Sequence, residues 1–174
     1  MIPKIIIEKT ANYLNIPANS ITFNEEQFAS DVNHKKIGQF NAILNLMCNK
    51  AKLEGPEKFN TELEVELYQW LEYAIMYVIP GSKDRSMSFN LLKTLDTHLM
   101  NQSYLCGQFL TLADVLNFYA IFDVIKSLNP SEKERFINLS RWFDHLQQKE
   151  NINQQNNLVN FTVLHLTGEN QKIH

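Results

Sequence analysis

The sequence predicts a mainly α protein, in which a small mixed lobe precedes an all-helical domain. Two observations predict this class. Thr111–Lys126 contains eleven apolar residues out of sixteen, too many for one surface stripe, so it should form a buried central helix. Glu54–Glu57 places Gly and Pro where a helix must end, and strand-like alternation occurs only before it. We therefore divide the chain into a lobe at residues 1–54 and a helical domain at residues 57–174.

Composition describes an ordinary globular chain and excludes several functions. A chain of 174 residues buries about 70% of the surface that it exposes when unfolded, so it needs no disulfide bond or structural metal to be stable. A net charge of -3, without a run of like charges, argues against a dedicated nucleic-acid surface. Cys48 and Cys106 lack metal-ligand spacing and indicate buried thiols of a reducing compartment, so we expect a cytoplasmic protein. The first ten residues predict neither a signal peptide nor a membrane span.

The first lobe is predicted to combine two helices with a small hairpin. Ile2–Leu14 has apolar residues at helical spacing and ends before a proline. Ser20–Asn24 and Gln27–Val32 show alternating apolar residues, which indicates two short strands. Ile37–Leu53 returns to helical spacing. Such a lobe is too small to be stable alone.

The helical domain begins with a long helix, predicted over Asn60–Val78, that has one apolar face and one mixed face. One face fits a core. The opposite face is half apolar and half polar, and consists of Val65, Tyr68, Gln69, Glu72 and Met76. Aromatic and methionine side chains are unexpected on an exposed helix, so this face favours a surface that another protein covers part of the time. The alternative is that the first lobe covers it.

The remaining segments are predicted from turn signals and helical spacing. Pro80–Arg85 should be a polar loop, followed by a helix over Ser88–Asn101. A further helix is predicted over Ser131–Gln148, with a capping box between its first and fourth residues and Arg141 on its outer side. The tail should form a short turn of helix and then an extended arm at Leu158–Leu164 that docks on the helical domain.

A start signal precedes the central helix. Thr111 and Asp114 fit a capping box in which Asp replaces the usual Glu or Gln. The carboxylate also lies at the positive end of the helix dipole. The functional alternative is that Asp114 is a catalytic acid in a cleft. Because the cap accounts for both residues, we assign Thr111 and Asp114 a structural role as N-cap.

The residue pattern indicates neither catalysis nor cofactor binding. The five glycines are widely spread, which excludes a Gly-rich phosphate loop. The five histidines are scattered, and none stands in a metal motif. We therefore predict no catalytic residue, no cofactor and no metal, and a protein that is not an enzyme.

The stretch Tyr104–Asp114 resembles the capping-box region of the glutathione-transferase-like C-terminal domain, since a glycine and a short apolar loop precede the cap. More of the helical domain resembles the non-catalytic, transferase-like subunits of the multi-aminoacyl-tRNA synthetase complex. The residues that carry this match are Gln69–Tyr73, Tyr104–Asp114, Glu132–Glu134 and Asn138–Phe143. The first lobe agrees only in length and in starting with a helix, and the tail departs from the pattern.

This resemblance implies a glutathione-transferase-like fold whose first lobe is a reduced thioredoxin-like unit, and a scaffold function in translation. It implies that methionyl-tRNA synthetase binds the dimer-type surface, here Val65 and Gln69. It implies that glutamyl-prolyl-tRNA synthetase binds a second surface, here Arg141; the alternative for Arg141 is a surface pair with Asp144 or Asn138. The resemblance adds the nucleus to the cytoplasm as a location, and weak self-association stays open.

Two other functions are kept as alternatives. One is a glutathione-dependent transferase, and the other is a transferase-like subunit of the elongation factor 1 complex. A glutathione transferase begins with a strand, followed at once by its activating Tyr, Ser or Cys. This chain begins with a predicted helix, so that residue has no counterpart.

Overall fold

The structure, a computed structural model, describes residues 4–15, 61–154 and 156–161. These ranges are mainly helical and contain no strand, so the mainly α class is confirmed for them. The helices are α1 (Lys4–Tyr13), α2 (Thr61–Tyr73, continuing through Ala74–Val78 and Ile79–Gly81), α3 (Arg85–His98), α4 (Leu112–Ser127), α5 (Pro130–Arg135), α6 (Ile137–Gln147) and α7 (Glu150–Asn153). No helix in the described ranges is long and apolar enough to cross a membrane.

Helix α4 is the buried axis of the domain, as its composition predicts. Every side chain from 111 to 121 is buried. Helices α1, α2 and α6 all pack against it, which explains why α4 lacks the polar, solvent-exposed face of an amphipathic helix. The Phe118 ring lies 4.4 Å from that of Phe143 on α6, so aromatic contacts join the two helices at the centre of the core.

Helix α2 runs further than predicted, because its register changes. Ala74–Val78 is π-helical, and the amide of Ile79 donates to Ala74 O, five residues back. This change lets the helix continue through Pro80, which has no amide to donate. A Cβ on Gly81 would lie 2.6 Å from Leu91 Cδ1, so the glycine allows α3 to approach closely. The predicted loop at Pro80–Arg85 is therefore wrong at both ends.

Helix α3 begins at Arg85 rather than at Ser88. Asp84 is its N-cap, and Asp84 Oδ1 accepts a hydrogen bond of 2.7 Å from the amide of Met87. A side-chain acceptor at this position satisfies one of the amides that the first helical turn leaves without a partner. Arg85, which we expected in the loop, and the two residues after it therefore belong to the helix.

The helix predicted over Ser131–Gln148 is two helices, α5 and α6. The capping box lies two residues earlier than predicted, because the Asn129 side chain and the Glu132 carboxylate exchange hydrogen bonds of 2.9 Å with each other's amides. Pro130 occupies the first helical position, which suits its fixed φ. Phe136 then breaks the helix with φ -109° and ψ 56°, while its side chain is buried.

The two ends of the chain are described in part. Helix α1 agrees with the prediction and packs on α4. The short helix α7 and the stretch 156–161 agree with the predicted turn of helix and arm. The predicted hairpin, the helix at Ile37–Leu53, the boundary at Glu54–Glu57 and the end of the arm lie outside the described residues.

Candidate functional site

Asp114 is fully buried and joins three parts of the domain. Its Oδ1 accepts from the amide of Leu105 at 2.8 Å and from Trp142 Nε1 at 2.9 Å. Its Oδ2 accepts from both the amide and the hydroxyl of Thr111 at 2.9 Å, within the capping box of α4. Burial raises the pKa of Asp114, and these hydrogen bonds oppose that rise. Donors of the chain itself bind both oxygens, so the carboxylate has a structural role. It links the loop before α4, the cap of α4 and helix α6, and we call this arrangement the Asp114 joint.

The loop before α4 is held in place by the same joint. Tyr104 and Gly107 form a tight backbone pair, and Gly107 has φ 93°, a conformation that favours glycine. Between them lies Cys106, which is buried, and its Sγ lies 3.5 Å from the hydroxyl oxygen of Thr111. Burial raises the pKa of Cys106 to about 12, so its thiol stays protonated and is a poor nucleophile.

The first face is an exposed stripe of α2. Val65 is 61% exposed, Met76 59% and Tyr77 61%. We define the first face as Val65, Gln69, Glu72, Met76 and Tyr77, all of which are exposed. A π turn holds more residues than an α turn, so the π-helical segment shifts Tyr77 towards the line of the stripe. The predicted residues Val65 and Gln69 are thus joined by an aromatic side chain that the sequence pattern did not include.

Tyr68, the remaining member of the predicted stripe, is only half exposed. The alternative that the first lobe covers the stripe concerns residues 16–60, which lie outside the described part of the chain. The stripe is also acidic at its edges, since Glu62 and Glu72 are both exposed on α2.

The second face surrounds Arg141 on α6. We define it as Met100, Ile137, Arg141 and His145, whose side chains are all exposed. Arg141 does not form the predicted alternative pair with Asp144 or Asn138. Its Nη2 instead donates to Leu99 O at 2.9 Å and to Gln102 O at 3.2 Å, at the C-terminal end of α3.

Helices α3 and α6 cap each other. Arg141 of α6 supplies donors to the carbonyls at the end of α3. In return, Asp96 of α3 accepts a hydrogen bond of 2.9 Å from the amide of Leu139, in the first turn of α6. A cation at a helix C-terminus and an anion at a helix N-terminus both interact favourably with the helix dipole. The guanidinium of Arg141 therefore has a fixed position on the surface.

Among the described residues, no group of three or more His, Cys, Asp or Glu side chains is arranged to hold a metal ion. The two histidines in the described ranges contact the loop before α4. His98 Nε2 lies 2.8 Å from Leu105 O, and His145 Nε2 lies 2.9 Å from the Tyr104 hydroxyl.

Comparisons with known proteins find one cofactor family and several translation elongation factors. Residues 66–150 match a family model described as nuclear-export cofactor Arc1p. The chain is 41% identical over 119 residues to eukaryotic translation elongation factor 1 epsilon-1 of Cricetulus griseus, over 68% of each chain. It is 40% identical over 120 residues to the protein of the same name in Homo sapiens, over 69% of this chain and 67% of the human one. Elongation factor 1-gamma of Drosophila melanogaster is 24% identical over 125 residues, which cover 62% of this chain and 28% of that relative.

Proposed function

Because the chain belongs to the eukaryotic translation elongation factor 1 epsilon-1 family, we propose that it is a non-catalytic adaptor of the translation machinery. Its assembly is the multi-aminoacyl-tRNA synthetase complex, in the cytoplasm and also in the nucleus. Its fold is glutathione-transferase-like, with a reduced thioredoxin-like lobe over residues 1–54. The single observation that carries the proposal is the first face, where large apolar side chains stand exposed on one helix.

The first face binds the transferase-like domain of methionyl-tRNA synthetase in this proposal. Burying an exposed apolar side chain such as that of Val65 or Met76 contributes about 1.5–3 kcal/mol, and the cost of association is set against the sum. Gln69 lies among these side chains with an amide that can both donate and accept. Apolar side chains that alternate with the polar groups of Gln69 and Glu72 supply affinity and orientation together.

The second face binds glutamyl-prolyl-tRNA synthetase. A guanidinium carries five N–H donors, and Arg141 uses Nη2 for the end of α3. The other nitrogens make no hydrogen bond to the described residues, so they can form a bidentate pair with a partner carboxylate. The fixed position of the guanidinium reduces the entropy that binding would cost, and exposed Ile137 and Met100 add apolar contact.

Two features of the Asp114 joint support an adaptor rather than a glutathione-dependent transferase. Asp114 has no room for a substrate, because donors of the chain occupy both of its oxygens. Cys106 has a raised pKa and is buried, which disfavours nucleophilic attack. Turnover of a generic electrophile with glutathione by the purified protein would overturn the non-catalytic part of the proposal.

The similarity to elongation factor 1-gamma favours a second candidate, a subunit of the elongation factor 1 complex. A pull-down from a lysate of the source organism, with the full chain as bait, separates the two. Recovery of methionyl- and glutamyl-prolyl-tRNA synthetases supports the first candidate. Recovery of elongation factor 1 subunits without synthetases supports the second and overturns the first.

Point variants then assign the surfaces. We expect Val65→Asp to lose methionyl-tRNA synthetase and keep glutamyl-prolyl-tRNA synthetase, and Arg141→Ala to do the reverse. Met87→Asp is the matched control for the first, because Met87 is 57% exposed but lies on α3. Arg135→Ala is the control for the second, since Arg135 is an exposed arginine on α5. Loss of both partners from one variant, with the fold intact, would contradict the assignment.

A further inference from the structure

The stretch 156–161 has no regular secondary structure, and the buried side chain of Gln147 on α6 pairs with its backbone at Val159. The amide of Val159 donates to Gln147 Oε1 at 2.9 Å, and Val159 O accepts from Gln147 Nε2 at 2.9 Å. Gln147 is buried, so this amide group is oriented by the helix. One side-chain amide thus pairs with both backbone groups of one residue, as a neighbouring strand would. Such a contact recognises an extended backbone whatever its side chains are.

The side chains of the arm alternate as those of a bound peptide do. Val159 is 6% exposed, whereas Leu158 is 56% exposed. Two positions after Val159, the Phe161 ring lies 5.8 Å from that of Phe143. An inward residue every second position is the pattern of an extended ligand in a groove.

A lysine holds the far end of the arm. Lys133 Nζ donates to Asn160 O at 2.9 Å and lies 5.2 Å from the centre of the Phe161 ring. This contact again uses a backbone carbonyl and a ring face, and a cation over an aromatic ring is attractive. The recognition elements are therefore Gln147 for the backbone, an apolar contact for the β-branched residue, and Lys133 with Phe143 for the aromatic residue.

The arm does not fill the space beside α6. A cleft of about 520 Å³ remains between helix and arm, and it is lined by Asp144, Gln147, Gln148, Leu158, Val159, Asn160 and Phe161. The base of the arm is tied separately, because Lys9 Nζ donates to Asn156 Oδ1 at 2.6 Å. The anchor at Asn156 is therefore separate from the contacts that residues 158–161 make with α5 and α6.

We propose that the groove along α6 is a binding site for extended peptides, and that residues 158–161 occupy it as an exchangeable intramolecular ligand. The occupant that replaces them is a peptide segment with a β-branched aliphatic residue two positions before an aromatic residue. The arm is part of the same chain, so its effective concentration at the groove is high. Peptides of low affinity therefore cannot displace the arm, whereas peptides of higher affinity can. This site is separate from the first and second faces.

The first test uses the full chain with the arm released. Val159→Asp combined with Phe161→Asp removes the two inward side chains. The probe is a fluorescein-labelled, capped peptide with the sequence of residues 157–162, and binding is measured by anisotropy. We expect the released-arm variant to bind the probe at least about tenfold more tightly than the wild type, whose own arm competes. Adding Gln147→Ala to the released-arm variant should weaken binding by at least about tenfold.

The controls separate the groove from general stickiness. Asn157→Asp changes an exposed residue that neither lines the cleft nor belongs to residues 158–161, so it should behave as the wild type does. A probe with Ser in place of its Val and Phe should not bind. Far-UV circular dichroism verifies the fold of each variant. Equal binding of the probe by a folded released-arm variant and by the wild type, or binding by neither, would overturn the proposal.

A second measurement needs no variant. Amide hydrogen exchange of the wild type should show the Val159 amide exchanging at least about 100-fold faster than the most protected amides of α4, because the arm opens without global unfolding. If the Val159 amide exchanges only with the global rate, the arm is an integral part of the fold and the proposal is wrong, even if the released-arm variant fails to fold.

Discussion

Asp114 and Arg141 are both charged side chains that satisfy backbone groups at helix ends, but one is buried and the other is exposed. Asp114 accepts hydrogen bonds at both oxygens, and its partners come from the loop before α4, the cap and α6. Arg141 uses Nη2 alone and keeps its other nitrogens at the surface. Asp114 has no exposed group left for another molecule, whereas Arg141 keeps N–H groups at the surface, where we propose that a partner binds.

The largest expected effect is the loss of the buried cap. Asp114→Ala leaves the amides of Leu105 and Thr111 and Trp142 Nε1 without an acceptor, at about 1–3 kcal/mol for each buried group. We expect the free energy of unfolding to fall by at least about 3 kcal/mol, measured by chemical denaturation. Asp123→Ala is the control, because Asp123 is exposed on the same helix. A loss below about 1 kcal/mol would show that Asp114 does not join the three elements.

The next effect concerns pH and the buried thiol beside Asp114. Cys106 has a folded pKa of about 12 against an ordinary value of 9.0, so the unfolded chain releases its proton first as pH rises. Stability should therefore fall as pH rises above about 9, by up to about 1.4 kcal/mol per pH unit from this group. Unfolding free energies at pH 9 and about pH 10.5 test this prediction, with the range set by the cited pKa.

Cys106→Ala is the informative comparison for that pH range. It removes the thiol and should flatten the decline, although burial also raises the pKa of Tyr119, which keeps part of the slope. If the unfolding free energy of the variant and of the wild type declines equally steeply with pH, the Cys106 thiol has the same pKa in the folded and unfolded states.

Removing the exposed cap should cost less stability. Arg141→Ala takes donors from the carbonyls of Leu99 and Gln102, and water can take the place of a side chain that is itself exposed, so we expect a loss of about 1 kcal/mol. Arg135→Ala, the matched exposed arginine, should change the free energy of unfolding by less than about 0.5 kcal/mol. A loss above about 3 kcal/mol for Arg141→Ala would erase the distinction between the two caps, and its binding defect would then reflect misfolding.

The smallest effect on stability is expected on the first face. Val65 is exposed, so Val65→Asp should change the free energy of unfolding by less than about 0.5 kcal/mol. Its effect should appear only in binding, as a loss of at least about tenfold for methionyl-tRNA synthetase, measured by isothermal titration calorimetry. A stability loss as large as that of Asp114→Ala would indicate that Val65 is covered within the chain.

The sequence predicts those parts of the fold that depend on residues close together in the chain, such as the apolar content of a helix and its capping residues. The buried helix α4 follows from its composition, and its cap follows from Thr111 and Asp114. The caps at Asp84 and Asn129 had local signals too, a lone Asp before a helical pattern and an Asn-Pro pair with Glu at the third helical position. The break at Phe136 had none, because it serves tertiary packing of a buried ring.

The sequence could predict which residues of the candidate surfaces are exposed, but it could not predict the contacts that those residues make with distant parts of the chain. Val65, Gln69 and Arg141 are exposed, but their roles in binding partners stay predictions. The contact of Arg141 with Leu99 O spans 42 residues, and that of Trp142 with Asp114 spans 28. Helical spacing reports only neighbours within about one turn, so it cannot predict such contacts. The shift of Tyr77 towards the first face depends on the π-helical segment, which no pattern of apolar residues predicts.

We propose that two separate surfaces bind two synthetases at once. Calorimetry tests this most directly: the full chain is saturated with the transferase-like domain of methionyl-tRNA synthetase, and that of glutamyl-prolyl-tRNA synthetase is then titrated into it. We expect a second binding event with one site per chain and a Kd within about twofold of that for the free chain, because the surfaces lie on different helices. Failure of the second domain to bind until the first dissociates would contradict it.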